Sequence, residues 1–107
     1  SPKFLQLNES SMGEKVRVHI VVSGRVQGVL YRSGARQKAR ELGITGWAHN
    51  LIDGKVELVA EGAKEKVEQF AEWCKQGSPL AKVENVEVEY EGWKGEFKDF
   101  DIRDFGF

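Results

Sequence analysis

Polar and apolar side chains alternate along several short stretches of the chain, a pattern typical of strands with one buried face. The clearest example is the segment from Val16 to Ser23, where valine or isoleucine occupies every second position. A later segment alternates valine and tyrosine with glutamate. The pattern predicts strands over residues 16–23, 44–50, 55–61 and 83–91, with a short last strand near residues 100–103.

Two other segments carry apolar residues three or four positions apart, the spacing of an amphipathic helix. Helices are predicted over residues 31–42 and 63–76. Gly43 and Gly77 directly follow these segments, at positions where glycine commonly ends a helix. The apolar stripes consist of Tyr31, Ala35, Ala39 and Leu42 in the first helix and Val67, Phe70, Ala71 and Cys74 in the second.

The predicted elements follow one another as βαββαβ with a terminal strand, the order of the split βαβ or ferredoxin-like architecture. We therefore predict an α+β fold in which two helices cover one face of a mainly antiparallel sheet. In this topology the first two strands run parallel, with the third between them. Their C-terminal ends then share one edge of the sheet, about 10 Å apart.

Length and composition narrow the class of protein. With 107 residues, the chain is long enough for one compact domain. The first residues are polar and lack a period, so we expect a flexible tail over residues 1–15 and a domain over residues 16–107. A formal net charge of -1 argues against a nucleic-acid-binding domain, which carries a clear basic excess.

Cysteine use and hydropathy bear on the compartment. The single cysteine, Cys74, excludes an internal disulfide and any multi-cysteine metal site, and it fits a reducing compartment. The sequence shows neither an apolar run of membrane-spanning length nor a signal-peptide pattern. We therefore expect a cytoplasmic protein without membrane partners, and a monomer as the default state.

The stretch GRVQGVLYR, from Gly24 to Arg32, connects the first strand to the first helix. Consecutive N–H groups in such a loop can converge on an anion, and the following helix N-terminus adds partial positive charge. Arg32 supplies a planar guanidinium that can bind two phosphate oxygens. The stretch predicts a phosphate site without a metal; an ordinary turn between strand and helix is the alternative.

A second motif, GWAHN at residues 46–50, is followed by Asp53-Gly54, a strong β-hairpin signal. The hairpin places Asn50 at the C-terminal end of the second predicted strand. Together, GRVQGVLYR and GWAHN…DGKVE resemble the two signatures of the acylphosphatase family. The resemblance extends in register over residues 16–103 and includes the later Gly-Ser-Pro turn.

The resemblance implies an enzyme that hydrolyses acyl phosphates, which are carboxylic–phosphoric anhydrides, to carboxylate and phosphate without a metal or cofactor. In the family the motif arginine binds phosphate and the motif asparagine positions the attacking water; the matching residues are Arg32 and Asn50. An ordinary ion pair for Arg32 and a hairpin cap for Asn50 are the structural alternatives. The partner is a small acyl phosphate, with phosphate as product and inhibitor. The family's phosphate-binding loop matches Gln27, Gly28, Val29, Leu30, Tyr31 and Arg32.

The residue chemistry agrees with this implication. Ser23 and Ser33, near the loop, lack a neighbouring histidine oriented by a carboxylate, so the chain offers no convincing nucleophile. An acyl phosphate needs none, because its leaving group is a carboxylate that is stable at neutral pH. Binding the phosphoryl group and aiming a water in line then suffice. We interpret His19 and His49 as packing or surface residues.

Two other functions stay open at this point. One is a non-catalytic phosphate-binding or regulatory module, like the acylphosphatase-like domain of hydrogenase-maturation carbamoyltransferases. The other is a ferredoxin-like RNA-binding domain, whose sheet would present stacked aromatics and a basic face. Glu87, Glu89 and Glu91 on the fourth predicted strand argue against the second.

Three features depart from the family pattern. Tyr31 stands where phenylalanine is common and brings a hydroxyl that needs a partner. Gly34 in the first helical turn costs helix stability. Residues 104–107 extend past the usual C-terminus, which puts in doubt the contact of a terminal carboxylate with Arg32.

Overall fold

The computed structural model describes residues 14–103. Every predicted element is present, α1 with the predicted bounds and the others within two residues at each end. Most of the predicted tail, and the extension past Arg103, lie outside the described residues. The strands are β1 (Lys15–Arg25), β2 (Thr45–Asn50), β3 (Val56–Ala63), β4 (Lys82–Gly92) and β5 (Phe100–Ile102), and the helices are α1 (Tyr31–Leu42) and α2 (Lys64–Gln76).

The strands form one sheet in the order β4-β1-β3-β2-β5. Because β3 pairs antiparallel with both β1 and β2, those two strands run parallel on either side of it, as the split βαβ topology predicts. β5 is parallel to β2 at the far edge. The loop that follows β1 and the end of β2 therefore emerge from the same edge of the sheet.

Both helices pack on one face of this sheet, where their apolar stripes meet the inward-facing strand residues. Val18, Ile20 and Val22 of β1 are completely buried there, which confirms the predicted alternation. Burying one such side chain stabilises the folded state by about 1.5–3 kcal/mol. Because β1 and α1 bury side chains in the same core, this packing fixes the start of α1 relative to β1. Neither helix within residues 14–103 combines the length and apolarity that a membrane crossing needs.

β4 is less buried than its alternation predicts. Val88 and Tyr90 lie on the helix side of the strand, yet they are 37% and 47% exposed. The strand forms the edge of the sheet, so α2 borders these side chains on one side without enclosing them. Glu87, Glu89 and Glu91 are exposed on the opposite face, as predicted.

Glu61 in β3 is buried on the face opposite the helices, which its sequence position does not predict. Its carboxylate accepts hydrogen bonds from the N–H groups of Lys94 at 2.7 Å and Glu96 at 3.2 Å, and it pairs with Arg17 at 3.3 Å. A buried carboxylate is stable when it is paired and hydrogen-bonded in this way. These bonds fasten the connection between β4 and β5 to the sheet.

Candidate active site

The segment between β1 and α1, residues 26–30 and here called the glycine loop, borders a cavity of about 200 Å³. The cavity lies at the edge of the sheet where β1 ends, and it suits a compact group rather than a large ligand. Its walls come from the glycine loop, the first turn of α1 and β5. The lining residues are Val26, Gly28, Leu30, Tyr31, Arg32, Ser33 and Ile102.

Most N–H groups of the glycine loop lack acceptors within the described chain. At the two ends, the Val26 N–H donates to Gly24 O at 3.1 Å and the Gly34 N–H donates to Leu30 O at 3.0 Å. For the N–H groups of residues 27–31 and of Ser33, no acceptor is found among residues 14–103. Some of these groups belong to the start of α1, because the first N–H groups of any helix have no acceptor within the helix. No side chain caps the start of α1. Such a set of donors is suited to an anion.

The backbone of the glycine loop enters the left-handed region twice, at Gly28 (φ 75°) and Leu30 (φ 64°). Glycine adopts this conformation without strain, whereas a residue with a Cβ pays about 1–2 kcal/mol. Leu30 is the one non-glycine residue with positive φ among residues 14–103. Strain of this kind concentrates at functional sites, and successive N–H groups in such turns form anion-binding concavities.

Arg32 lies in the first turn of α1, with its partly buried side chain on the cavity wall. An arginine side chain carries its positive charge on a planar guanidinium. It therefore adds a full positive charge to the partial charge of the helix N-terminus. The two together favour an anion that carries more than one negative charge.

Gln27 attaches the glycine loop to the β2–β3 hairpin. Its Nε2 donates to Leu51 O at 2.7 Å and to Lys55 O at 2.9 Å. Leu51 directly follows Asn50, so these bonds fix the loop relative to the end of β2. The family signature points only to the Gln27 backbone amide, and this side-chain role is not apparent from the sequence.

Asn50 is the last residue of β2, paired with Val56, at the position predicted from the hairpin signal. Its Oδ1 is buried, and no donor among residues 14–103 reaches it. The hairpin turn is closed instead by the Leu51 N–H, which donates to Lys55 O at 2.8 Å, and by Asp53, whose Oδ1 accepts the Lys55 N–H at 3.2 Å. Asn50 therefore does not cap the hairpin through this oxygen. A buried acceptor without a donor is uncommon, and a water molecule could satisfy it.

The first sequence motif, GRVQGVLYR, borders the cavity, and the second, GWAHN, ends at the end of β2. Comparison with known proteins supports the family that these motifs indicate. A family model described as Acylphosphatase matches residues 18–102. The chain belongs to the acylphosphatase family. This confirms the family predicted from GRVQGVLYR and GWAHN.

Several acylphosphatases are similar to this chain over most of its length. The acylphosphatase of Methylococcus capsulatus is 54% identical over 86 residues, which is 80% of this chain and 94% of that protein. The structure of an acylphosphatase from Coxiella burnetii is 43% identical, with a TM-score of 0.79, over 83% of this chain and 93% of that one. The crystal structure of acylphosphatase from Bacillus subtilis is 35% identical, also with a TM-score of 0.79, over 82% and 98%. These structures confirm the ferredoxin-like α+β fold.

Some of the residues that the acylphosphatase signatures designate line the cavity, and the others do not. Gly28, Leu30, Tyr31 and Arg32 line the cavity. Gln27 and Asn50 lie where the loop meets the hairpin, outside the lining, and Val29 is buried behind the loop.

One residue that touches the glycine loop, Ser78, is not among the site residues that the sequence predicts. Ser78 is 7% exposed, and its Oγ donates to Val29 O at 2.7 Å. Its only sequence signal is its place in the Gly-Ser-Pro turn that the acylphosphatase resemblance includes.

Tyr31 finds the partner that its extra hydroxyl requires, since the OH donates to Cys74 O at 2.7 Å. The Tyr31 ring is 1% exposed and packs against Trp73, with the ring centroids 5.3 Å apart. Burial raises the pKa of the Cys74 thiol to about 12. Cys74 is therefore an unreactive core residue, as its helical spacing predicts.

The two histidines share one carboxylate on the outer face of the sheet. Glu57 Oε2 lies 2.6 Å from His19 Nε2, and Glu57 Oε1 lies 2.5 Å from His49 Nε2. Burial alone raises the pKa of the Glu57 carboxyl, but the hydrogen bonds and charges of the histidines outweigh it and hold that pKa below its ordinary value. This cluster does not line the cavity, which is consistent with the packing or surface role predicted for both histidines.

A wider groove of about 430 Å³ lies between α1 and α2. It shares Leu30 and Ser33 with the cavity, so the two spaces adjoin. Trp73 and Pro79 provide apolar surface in the groove, and Lys38 provides a cation. The groove thus extends the cavity over the helix layer, away from the sheet.

Proposed function

We propose that this chain hydrolyses small acyl phosphates to a carboxylate and inorganic phosphate at the cavity beside the glycine loop. The observation that carries the proposal is the set of N–H groups in residues 27–31 for which no acceptor is found among residues 14–103, in a segment that borders the same cavity as the Arg32 side chain. A phosphoryl group supplies the several acceptor oxygens that these donors need. Membership of the acylphosphatase family supports the same reaction.

In this proposal the phosphoryl group lies against the glycine loop. The backbone N–H groups donate to its oxygens, and Arg32 binds two of them in a planar pair. Charge on these oxygens changes during phosphoryl transfer, and fixed donors stabilise it without reorganising. Inorganic phosphate, the product, binds the same donors and therefore competes with the substrate.

Asn50 orients the attacking water through its amide oxygen. The buried Oδ1, which no donor among residues 14–103 reaches, accepts a hydrogen bond from that water. The water oxygen forms a bond to phosphorus while the bond from phosphorus to the acyl oxygen breaks. A dianionic acyl phosphate and water thus give a carboxylate and dihydrogen phosphate, with both water protons kept on the phosphate product.

The chemistry of the leaving group explains why the site needs no titratable side chain. A carboxylate leaves without protonation at neutral pH, so no general acid is required. The histidine–Glu57 cluster lies outside the cavity, and we assign it no catalytic role. We accordingly propose that the reaction needs neither a metal nor a cofactor. We also propose that the adjoining groove accommodates the acyl group and that the protein is a cytoplasmic monomer.

The decisive experiment is hydrolysis of acetyl phosphate by EDTA-treated protein, with inorganic phosphate as the competing ligand. Arg32→Ala removes the one charged side chain that residues 14–103 place on the cavity wall, so kcat/KM is expected to fall by about 100-fold or more. Arg36→Ala, one helical turn later, is the matched control and keeps normal turnover. Unimpaired hydrolysis by Arg32→Ala, or loss of activity in EDTA, contradicts the proposal.

Asn50→Ala separates water positioning from phosphate binding. We expect kcat to fall by about 100-fold, as misplacement of a reactant typically does, while the inhibition constant of phosphate stays within a factor of about two. Asn85→Ala, an exposed asparagine on β4, is the matched control. Equal losses in kcat and in phosphate affinity would show that Asn50 binds phosphate instead.

A further inference from the structure

Ser78 makes a buried hydrogen bond to the glycine loop from a distant part of the chain. Its Oγ donates to Val29 O at 2.7 Å across a separation of 49 residues. The turn that carries Ser78 is itself fixed, because Ala81 N donates to Ser78 O at 3.0 Å and Gly77 N donates to Trp73 O at 2.7 Å. Ser78 therefore offers the loop a rigid donor.

This bond determines the direction of one N–H group of the glycine loop. The peptide between Val29 and Leu30 is trans, as all peptides of residues 14–103 are. In a trans peptide the C=O and N–H point in opposite directions. With the Val29 carbonyl directed to Ser78, the Leu30 N–H is directed to the other side of the loop, where Gly28 and Arg32 line the cavity.

The same peptide has a reason to rotate. Leu30 occupies the left-handed region at φ 64°, which is unfavourable for a residue with a Cβ. Rotating the peptide by half a turn would move Leu30 to negative φ and relieve that strain. It would also turn the Val29 carbonyl towards the cavity, where its partial negative charge would oppose a phosphate. Some interaction must therefore hold the strained orientation.

We propose that Ser78 is a positioning residue for phosphate binding: its hydroxyl holds the Val29–Leu30 peptide in the strained orientation that points the Leu30 N–H at the phosphoryl group. This inference rests on the proposed function, because it takes the cavity as the phosphate site. In this proposal Ser78 does not contact the phosphoryl group and acts on it through the loop backbone.

The test compares Ser78→Ala with a rescuing second change at Leu30. Ser78→Ala is expected to weaken the binding of inorganic phosphate about tenfold, as the peptide rotates and N–H donors are lost; tenfold corresponds to about 1.4 kcal/mol. Adding Leu30→Gly removes the strain, because glycine adopts positive φ readily. The double variant should therefore recover most of the lost affinity. Leu30 is 70% exposed, so this change removes little packing.

The measurement is an NMR titration of the ¹⁵N-labelled full chain with inorganic phosphate, following the Leu30 amide. In the unchanged protein this amide proton is expected to shift downfield on binding, and in Ser78→Ala the shift should shrink. Val67→Ala, a core change in α2 outside the cavity, is the control for lost stability and should leave phosphate affinity as it was.

The outcomes separate this inference from the proposed function. If phosphate binds the unchanged protein without moving any resonance of residues 27–33, the proposed phosphate site is wrong and Ser78 loses its role with it. If the unchanged protein responds but Ser78→Ala binds equally well, only the role of Ser78 is overturned. A loss that Leu30→Gly does not restore also overturns it, because a general structural defect would not respond to strain at Leu30.

Discussion

The hydroxyl of Tyr31 offers a quantitative test of how α1 is attached to α2. The OH donates to Cys74 O at 2.7 Å in a buried environment. Because α2 ends at Gln76, Cys74 is among the last four residues of the helix, whose carbonyls lack an intrahelical donor. The Tyr31 hydroxyl is the donor that residues 14–103 provide for this carbonyl.

Tyr31→Phe keeps the buried ring and removes only this donor. Leaving a buried acceptor unsatisfied costs about 1–3 kcal/mol. The ring contact with Trp73 is retained, so no large cavity term adds to this cost. We therefore expect the free energy of unfolding to fall by about 1–3 kcal/mol. For a domain of this size, each kcal/mol corresponds to a fall in Tm of about 4–8 °C.

Urea unfolding followed by tryptophan fluorescence measures the change, and the chain contains its own control. The sequence has two tyrosines. Tyr90 is 47% exposed on β4, so Tyr90→Phe makes the same chemical change where water can replace the hydroxyl's partner. It is expected to cost less than about 0.5 kcal/mol, as surface substitutions usually do.

A difference between the two variants below about 0.5 kcal/mol would refute the reasoning, because the buried bond would then contribute no more than an exposed hydroxyl. An alkaline titration gives an independent check. Burial raises the pKa of Tyr31 far beyond its usual range, so its phenol should ionise only when the chain unfolds. Ionisation of both tyrosines before unfolding would contradict the buried environment.

Two further predictions concern packing and pH. A Cβ at Gly34 would lie 2.9 Å from Trp73 Cζ2, so Gly34→Ala should lower the free energy of unfolding in urea despite the gain of about 1 kcal/mol in helix propensity; an increase would show that the indole moves aside. The lowered pKa of Glu57 stabilises the fold above the ordinary value of 4.5, and this contribution is lost as the pH falls through the folded pKa. Glu57→Gln should therefore be less stable than the unchanged protein at neutral pH and approach it as the pH falls below 4.5, since other carboxyls titrate equally in both. Urea midpoints measured across this range check the prediction, and a gap that does not depend on pH contradicts it.

The fold was predictable because its signals are local. The alternation in β1 and the helical spacing after Tyr31 each report which face is buried, and Gly43 ends α1 with a left-handed φ of 72°. The pairing of two parallel strands around a third then follows from the order of the elements. Asn50 could be placed at the sheet edge for the same reason, since a two-residue turn signal fixes where β2 ends.

The contacts that were not predictable join segments far apart in the sequence. Gln27 reaches Leu51 over 24 residues, and Ser78 reaches Val29 over 49 residues. No periodicity or motif spacing reports such a contact, because it depends on how two loops are brought together by the finished sheet. Gly34 illustrates the same limit: by itself it reads as a weak point of α1, whereas the structure shows that Trp73 occupies the space of its side chain.

These long-range bonds matter more at this site than at one built from reactive side chains. A site that binds through backbone N–H groups has few side chains to adjust, so its geometry depends on how the backbone is held. The glycine loop cannot hold itself, because Leu30 lies in an unfavourable region. Gln27 restrains the loop on the side of the β2–β3 hairpin, next to Asn50, and Ser78 restrains it on the side of the turn after α2. If the site works as proposed, two side chains that do not contact the phosphoryl group, Gln27 and Ser78, set the distance between the N–H groups of the glycine loop and the amide of Asn50.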